Sequence, residues 1–117
     1  MSDFLNIADF LSPISIAELS YDQGYKDSMI GKTIQVYDEE FPDLDEADIV
    51  FLGCGEQRGN GMHMAYSAAP DTIRKHFYSL YCWHPDLKMA DIGNLKKGAA
   101  LEDTYAALKT VVKELLN

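Results

Sequence analysis

The sequence predicts an α/β fold built from parallel βα units, and three observations lead there. Ile49-Val50-Phe51-Leu52 is a continuous apolar run ending at Gly53, the pattern of a strand buried on both faces of a parallel sheet. Leu87, Met89 and Ile92 mark a second strand that ends at Gly93-Asn94. Between and after these runs lie two segments with helical periodicity. From residue 49 onward the order is strand, loop, helix, strand, helix, the repeating unit of a parallel sheet with right-handed crossovers.

Taken in order, the elements begin with an irregular stretch over residues 1–48. Phe4, Leu5, Ile7, Phe10 and Leu11 suit one face of a short helix, which Pro13 would stop. Ser15 suits the N-cap of a second short helix, Ile16 to Leu19. Thr33 to Tyr37 alternates polar and apolar residues and includes β-branched ones, so a short edge strand is expected there. Asp38 to Asp48 holds seven carboxylates around Pro42 and reads as a solvated linker. Asp43-Leu44-Asp45 lacks the turn glycine and the closing glutamate of a calcium loop.

After the strand at 49–52, Pro70 suits the first helical position and Asp71 complements the helix dipole. Ile73, Phe77, Leu80 and Tyr81 then mark the expected buried face. His84-Pro85-Asp86 makes a turn into the second strand. The last helix carries an apolar stripe of Leu101, Tyr105, Leu108, Val112 and Leu115.

Composition narrows the function. The chain has 117 residues, 47% of them hydrophobic, enough for one domain with its own core. A formal net charge of −9 argues against nucleic-acid or anionic-membrane partners, which require a basic patch. Cys54 and Cys82 show no disulfide-framework spacing and read as reduced thiols of a cytoplasmic protein. The N-terminus carries Asp3 and Asp9 and no basic region, so it does not resemble a signal peptide. No apolar run reaches membrane-spanning length.

Two firm strands and one doubtful one are few for an independent parallel sheet. The sequence also closes on a strongly amphipathic helix, which in an α/β chain leads into another strand. A cut between repeating units and a small complete domain that closes its sheet with the N-terminal segment, or by oligomerising, are both open on this pattern.

The loop Gly53–Gly61 leaves the carboxyl end of a strand, where ligands of open α/β sheets bind. A dinucleotide fingerprint fails there because Arg58 stands where its third glycine belongs. No Gly-Lys-Ser/Thr follows, so a P-loop fails too. His63, His76, His84, Cys54 and Cys82 show neither the helical i, i+4 pairing nor the C-x-x-C spacing of a metal site. Cys54 with His63 as its base, or Glu56 and Asp91 as acid and base, would satisfy the residue types for catalysis. For Asp91, a strand-end carboxylate that fixes a turn is the plainer reading.

Four segments taken together carry a family resemblance: Asp48-Ile-Val-Phe-Leu-Gly53, Gly59-Asn-Gly61, Ala68-Ala-Pro-Asp-Thr-Ile-Arg74 and Ala90-Asp-Ile-Gly-Asn94. In this order and spacing, residues 47–117 resemble the start of the ureohydrolase superfamily of arginases, agmatinases and formimidoylglutamases, closest to the formimidoylglutamase-like members. The resemblance implies a partial three-layer α/β/α sandwich of the arginase type. Residues 1–48 would be an N-terminal extension and residues 49–117 the first two βα units. It implies hydrolysis of a guanidino or formimino C–N bond by water activated between two Mn²⁺ ions in the full-length parent.

The family's metal ligands come from Gly-Gly-x-His, Asp-x-His-x-Asp and a later Asp-x-Asp element, and no such series is present here. No catalytic or metal-binding residue is therefore assigned, and the chain alone is expected to be inactive and without cofactor. Asn94 stands where Asp is commoner. By the same resemblance, Glu56, Gln57, Arg58, Asn60 and His63 would lie near the mouth of the active site and touch substrate. The expected partners are the remainder of the same polypeptide and further copies in a homo-oligomer, with no nucleic acid and no membrane. The alternative is a complete small α/β binding or oligomerisation module without catalysis.

Overall fold

A computed structural model describes residues 7–20, 24–60 and 67–116. Among the described residues it is a small mixed α/β domain, with four helices and four strands ordered around one central strand.

The N-terminal segment supplies two strands. Ile7–Phe10 forms a 3₁₀ turn and runs directly into β1, Leu11–Ser12. The single helical face expected over residues 4–11 is therefore broken. Phe4 and Leu5 lie outside the described residues, and Leu11 is drawn into sheet pairing. The amide of Lys96 donates to the Phe10 carbonyl at 2.8 Å, extending that pairing. Helix α1, Ile16–Leu19, starts where expected: the Ser15 hydroxyl accepts from the Glu18 amide at 3.3 Å.

Helix α2, Ile30–Thr33, has no side-chain cap and no periodicity to announce it. Tertiary bonds hold it instead, since the Ile30 amide donates to the Leu80 carbonyl at 2.9 Å. Strand β2, Gln35–Val36, falls inside the expected Thr33–Tyr37 segment.

Strands β3, Ile49–Gly53, and β4, Met89–Leu95, pair in parallel with Ile49 opposite Met89 and Phe51 opposite Asp91. On the other side of β4, β2 runs parallel at Ala90 and Asp91, and β1 runs antiparallel at Asn94 and Leu95. Since β3 already takes one edge of β4 over these residues, β1 and β2 share the opposite edge end to end. Among the described residues β3 pairs with β4 alone.

Helices cover both faces of this mixed sheet, as its parallel pairs require. Helix α3, Ala69–Tyr78, lies on one side, where Tyr78 and Phe77 pack with Phe51, Met89, Ile14, Ile30 and Ile34. Helix α4, Leu101–Leu115, lies on the other, where Val111, Leu108 and Leu115 pack with Ile92, Leu95, Val50 and Leu52. The alternation of Phe51 against Val50 and Leu52 is the period-two signature of β3 feeding two cores.

Both helical faces differ from their expected stripes. In α3, Ile73 is 66% exposed, and Leu80 and Tyr81 lie beyond the helix end and are exposed. Phe77 packs inward as expected, but the most deeply buried positions are Arg74 and Tyr78, because β4 offers them a buried carboxylate. In α4, Tyr105 and Val112 are exposed, while Thr104 and Val111 are fully buried. The inward face is rotated onto Thr104, Leu108, Val111 and Leu115 because Thr104 is bonded into the preceding turn.

Candidate functional site

The carboxyl ends of β3 and β4 carry two polar clusters. The first rests on a backbone irregularity in β4. Asp91 and Asn94 are three residues apart, so a regular strand would send them to opposite faces. Gly93 has φ +85° and the register with β3 shifts between Phe51 and Gly53, the mark of a β-bulge. The bulge turns Asn94 to the α3 face beside Asp91.

Arg74 meets both. Its Nε donates to Asp91 Oδ2 at 2.7 Å and its Nη2 to Asp91 Oδ1 at 3.0 Å. Nη2 also donates to the Gly93 carbonyl at 2.9 Å, and Nη1 donates to Asn94 Oδ1 at 2.6 Å and Asp71 Oδ1 at 3.1 Å. A guanidinium has five N–H groups, and each has a partner. Asp91 also accepts from the Tyr78 hydroxyl and from the Gly93 amide. Arg74 is 6% exposed and Asp91 1%. Burial alone would pull the Arg74 guanidinium down, but its bonds to the Asp91 carboxylate outweigh that and hold it above its ordinary value. Burial, then the neighbouring Asp91 charge, pushes the Tyr78 hydroxyl far up. Arg74 stays charged and Tyr78 stays protonated, and with every donor engaged the cluster suits a structural knot rather than proton transfer.

Gly53 closes this knot from the β3 side. A Cβ there would collide with Asn94 Oδ1 and come within 2.7 Å of Arg74 Nη2. The glycine that ends the apolar run is thus demanded by the close approach of the cluster.

The second cluster lies in the loop after β3. Glu56 accepts from Arg58 Nη2 at 2.6 Å and Nε at 2.9 Å, and from the Arg58 amide at 3.0 Å. Arg58 then reaches across to the turn before α4, donating to the carbonyls of Ala99 and Gly98 and to the Thr104 hydroxyl. The Glu56 side chain is only 3% exposed. Its bonds from Arg58 hold the carboxyl down at about 2 against burial that would raise it.

A cavity of about 320 Å³ runs beside these clusters, between β3 and α3, lined by Phe51, Leu52, Gly53, Cys54, Pro70 and Ile73 among others. Its walls are mostly apolar. Arg74 and Asp91 reach it, but with every donor and acceptor engaged they offer no free charge to a ligand.

Of the sequence candidates, Glu56 and Arg58 are brought together and engage one another. Gln57 sits between them, half-buried. Asn60 ends the short 3₁₀ turn Arg58–Asn60, and His63 lies outside the described residues. Cys54 is exposed on the rim of the cavity, and its supposed base His63 is not among the described residues. Glu56 and Asp91 do not meet as an acid–base pair; each has its own arginine. Sequence reasoning missed the partnership of Arg74 with Asp91 and Tyr78. A signal for it was present in the i, i+4 spacing of Arg74 and Tyr78 on one helical face.

Among the described residues, no group of three or more His, Cys, Asp or Glu side chains is placed to hold a metal ion. The carboxylates at the strand ends are already spent on arginines, so the described residues do not fit a bimetallic centre. Likewise no described helix is long and apolar enough to cross a membrane. Compared with family models, curated proteins and solved structures, the chain finds no match.

Proposed function

We propose that this chain forms the first two βα units of a ureohydrolase of the arginase, agmatinase and formimidoylglutamase type, and that it supplies scaffold and substrate-loop residues rather than the metal centre. One observation carries the reading. Three of the four segments that bear the resemblance meet in a single buried cluster: Gly53 ends the first, Arg74 ends the third, and Asp91, Gly93 and Asn94 make up the fourth. Residues scattered over more than forty positions share one structural task, which explains why they would occur together.

The topology supports it as well. The crossover helix α3 and the helix α4 lie on opposite faces of the sheet. With right-handed crossovers, a strand following α4 in the same sheet returns to the β3 side of β4. The open edge of β3 is the position available there, and the Ile-Val-Phe-Leu-Gly run carries neither the charge nor the proline that protects natural edges. This is the growth pattern of a larger parallel sheet, in which the cavity beside β3 is filled by the added strand.

On this reading the chemistry is hydrolysis of a formimino or guanidino carbon, with the manganese ligands on other polypeptide. Gln57, Asn60 and His63 remain as the residues proposed to touch substrate, whereas Glu56 and Arg58 are engaged with one another and shape the loop on which Gln57 sits. The test compares the 117-residue chain with the protein carrying the downstream coding sequence. Both are incubated with Mn²⁺ and with N-formimino-L-glutamate, agmatine or arginine. Release of formamide or urea by the longer protein alone supports the proposal. A longer protein that holds every metal ligand yet turns over none of these compounds contradicts it.

A second reading, a binding module complete in itself, draws on the apolar cavity along β3. It requires a small apolar ligand, and saturable binding of one by the 117-residue chain would favour it.

A further inference from the structure

The loop after β3 and the turn before α4 leave the carboxyl ends of neighbouring parallel strands, and one side chain belongs to both. Arg58 is tied within its own loop to Glu56. It is tied to the other segment by Nη1 to the Ala99 carbonyl at 3.0 Å, and by Nη2 to the Gly98 carbonyl at 2.9 Å and the Thr104 hydroxyl at 3.3 Å. Thr104, fully buried, also accepts from the Gly98 amide at 2.8 Å and so fixes the turn on its own side.

We infer that Arg58 makes these two segments a single conformational unit, so that loosening either one loosens the other. The bonds between Arg58 and the turn are lost whichever segment moves. Their free energy therefore protects both equally, and the coupling is reciprocal. The guanidinium stays aimed because Glu56 holds its Nε side, leaving the far edge of the fork to face the turn carbonyls. A ligand that displaces the loop at the mouth between β3 and β4 would be felt at the first turn of α4. This holds whichever reaction the protein serves.

Amide hydrogen exchange tests it in both directions. In E56Q/R58M, which avoids stranding the Glu56 carboxylate, the Gly98 amide is expected to exchange roughly tenfold faster or more, although its own bond to Thr104 is untouched. In T104V, which removes the Thr104 hydroxyl from Glu56 as well as from Arg58, the Arg58 amide is expected to accelerate similarly although its own acceptor, the Glu56 carboxylate, is retained. The Gly93 amide, bonded to Asp91, serves as the control and keeps its rate. Acceleration confined to the mutated side in either variant overturns the inference. Should the variants not fold, exchange of the unaltered chain in mild denaturant decides. The Arg58 and Gly98 amides then share one opening constant to within about twofold, and a difference above about tenfold overturns the coupling.

Discussion

Arg74 and Asp91 face one another across the α3–β4 contact through two side-by-side bonds of 2.7 and 3.0 Å, in a setting almost closed to water. Paired, bonded charges of this kind gain little over a hydrophobic pair of equal volume, yet removing one partner leaves the other stranded. Arg74→Ala is therefore expected to lower unfolding free energy by about 3–5 kcal/mol in urea titration. The double variant R74M/D91L should recover part of that loss. A single-variant effect below about 1 kcal/mol would contradict the burial of an unpaired carboxylate.

Tyr78 gives a smaller and cleaner test. Its ring stays in place in Tyr78→Phe, packed edge-on against Tyr25 at a 5.8 Å centroid separation, while the hydroxyl bond to Asp91 disappears. A hydrogen bond to a charged group contributes about 1.5–3 kcal/mol, and the loss measured by denaturant titration should fall in that range. An unchanged midpoint would mean that Asp91 does not depend on this bond.

Gly93 holds the bulge that aims Asn94 at Arg74. Its φ of +85° is strained for any L side chain, and a Cβ there would also strike the Ser12 carbonyl of β1. Gly93→Ala is expected to destabilise by about 1–3 kcal/mol from the backbone alone, with the collision adding to it. Amide spectra should show the disturbance in β1 as well as β4. A neutral substitution would contradict both the bulge and the β1 pairing.

Much of this arrangement was legible beforehand, and the parts that were not have physical reasons. The strand at Ile49–Leu52, the Ser15 cap and the parallel order from residue 49 all follow from local pattern, and they stand in the fold. The expected burial of that strand on both faces does not, since Ile49 is exposed and Val50, Phe51 and Leu52 are half-buried. The inward face of α3 did not follow. Hydrophobic periodicity favours Ile73, Phe77, Leu80 and Tyr81, of which Phe77 packs inward, but Asp91 in the facing strand selects Arg74 and Tyr78 for the deepest burial, and a single-helix pattern holds no record of that partner. Helix α2 was invisible because its four residues make a single turn with no side-chain cap, and its local bonds are joined by one from the Ile30 amide to the distant Leu80 carbonyl. In the candidate site, residue type makes Glu56 an acid or base beside Asp91, and the family resemblance makes substrate-loop residues of Glu56 and Arg58. Their mutual pairing and the reach of Arg58 to residues 98–104 depend on the tertiary approach of two loops.

The misplaced face is itself testable. Ile73 is mostly exposed although it belongs to the expected stripe. Ile73→Ser should change stability by no more than about 0.5 kcal/mol in the 117-residue chain, the range of ordinary surface positions. A core-sized loss would restore the stripe as the buried face.

Acid gives a prediction with a definite sign. Glu56 is held at about 2 against an ordinary value of 4.5. A carboxyl depressed on folding contributes stability that is present in full above 4.5 and is lost as pH falls through about 2. The stability advantage of the parent chain over Glu56→Gln should therefore shrink as pH is lowered across that window, followed by urea midpoints at each pH. A constant gap between the two proteins would show that the carboxyl does not titrate in this way.

Manganese stoichiometry tests the division of labour most directly. Electron paramagnetic resonance follows Mn²⁺ titrated into the 117-residue chain and into the protein carrying the downstream coding sequence. The expected result is free aqueous manganese throughout for the short chain and a tightly bound, spin-coupled pair for the longer one. A coupled pair held by the short chain, or none held by the longer protein, would contradict the proposal that these βα units frame a metal centre supplied by other polypeptide.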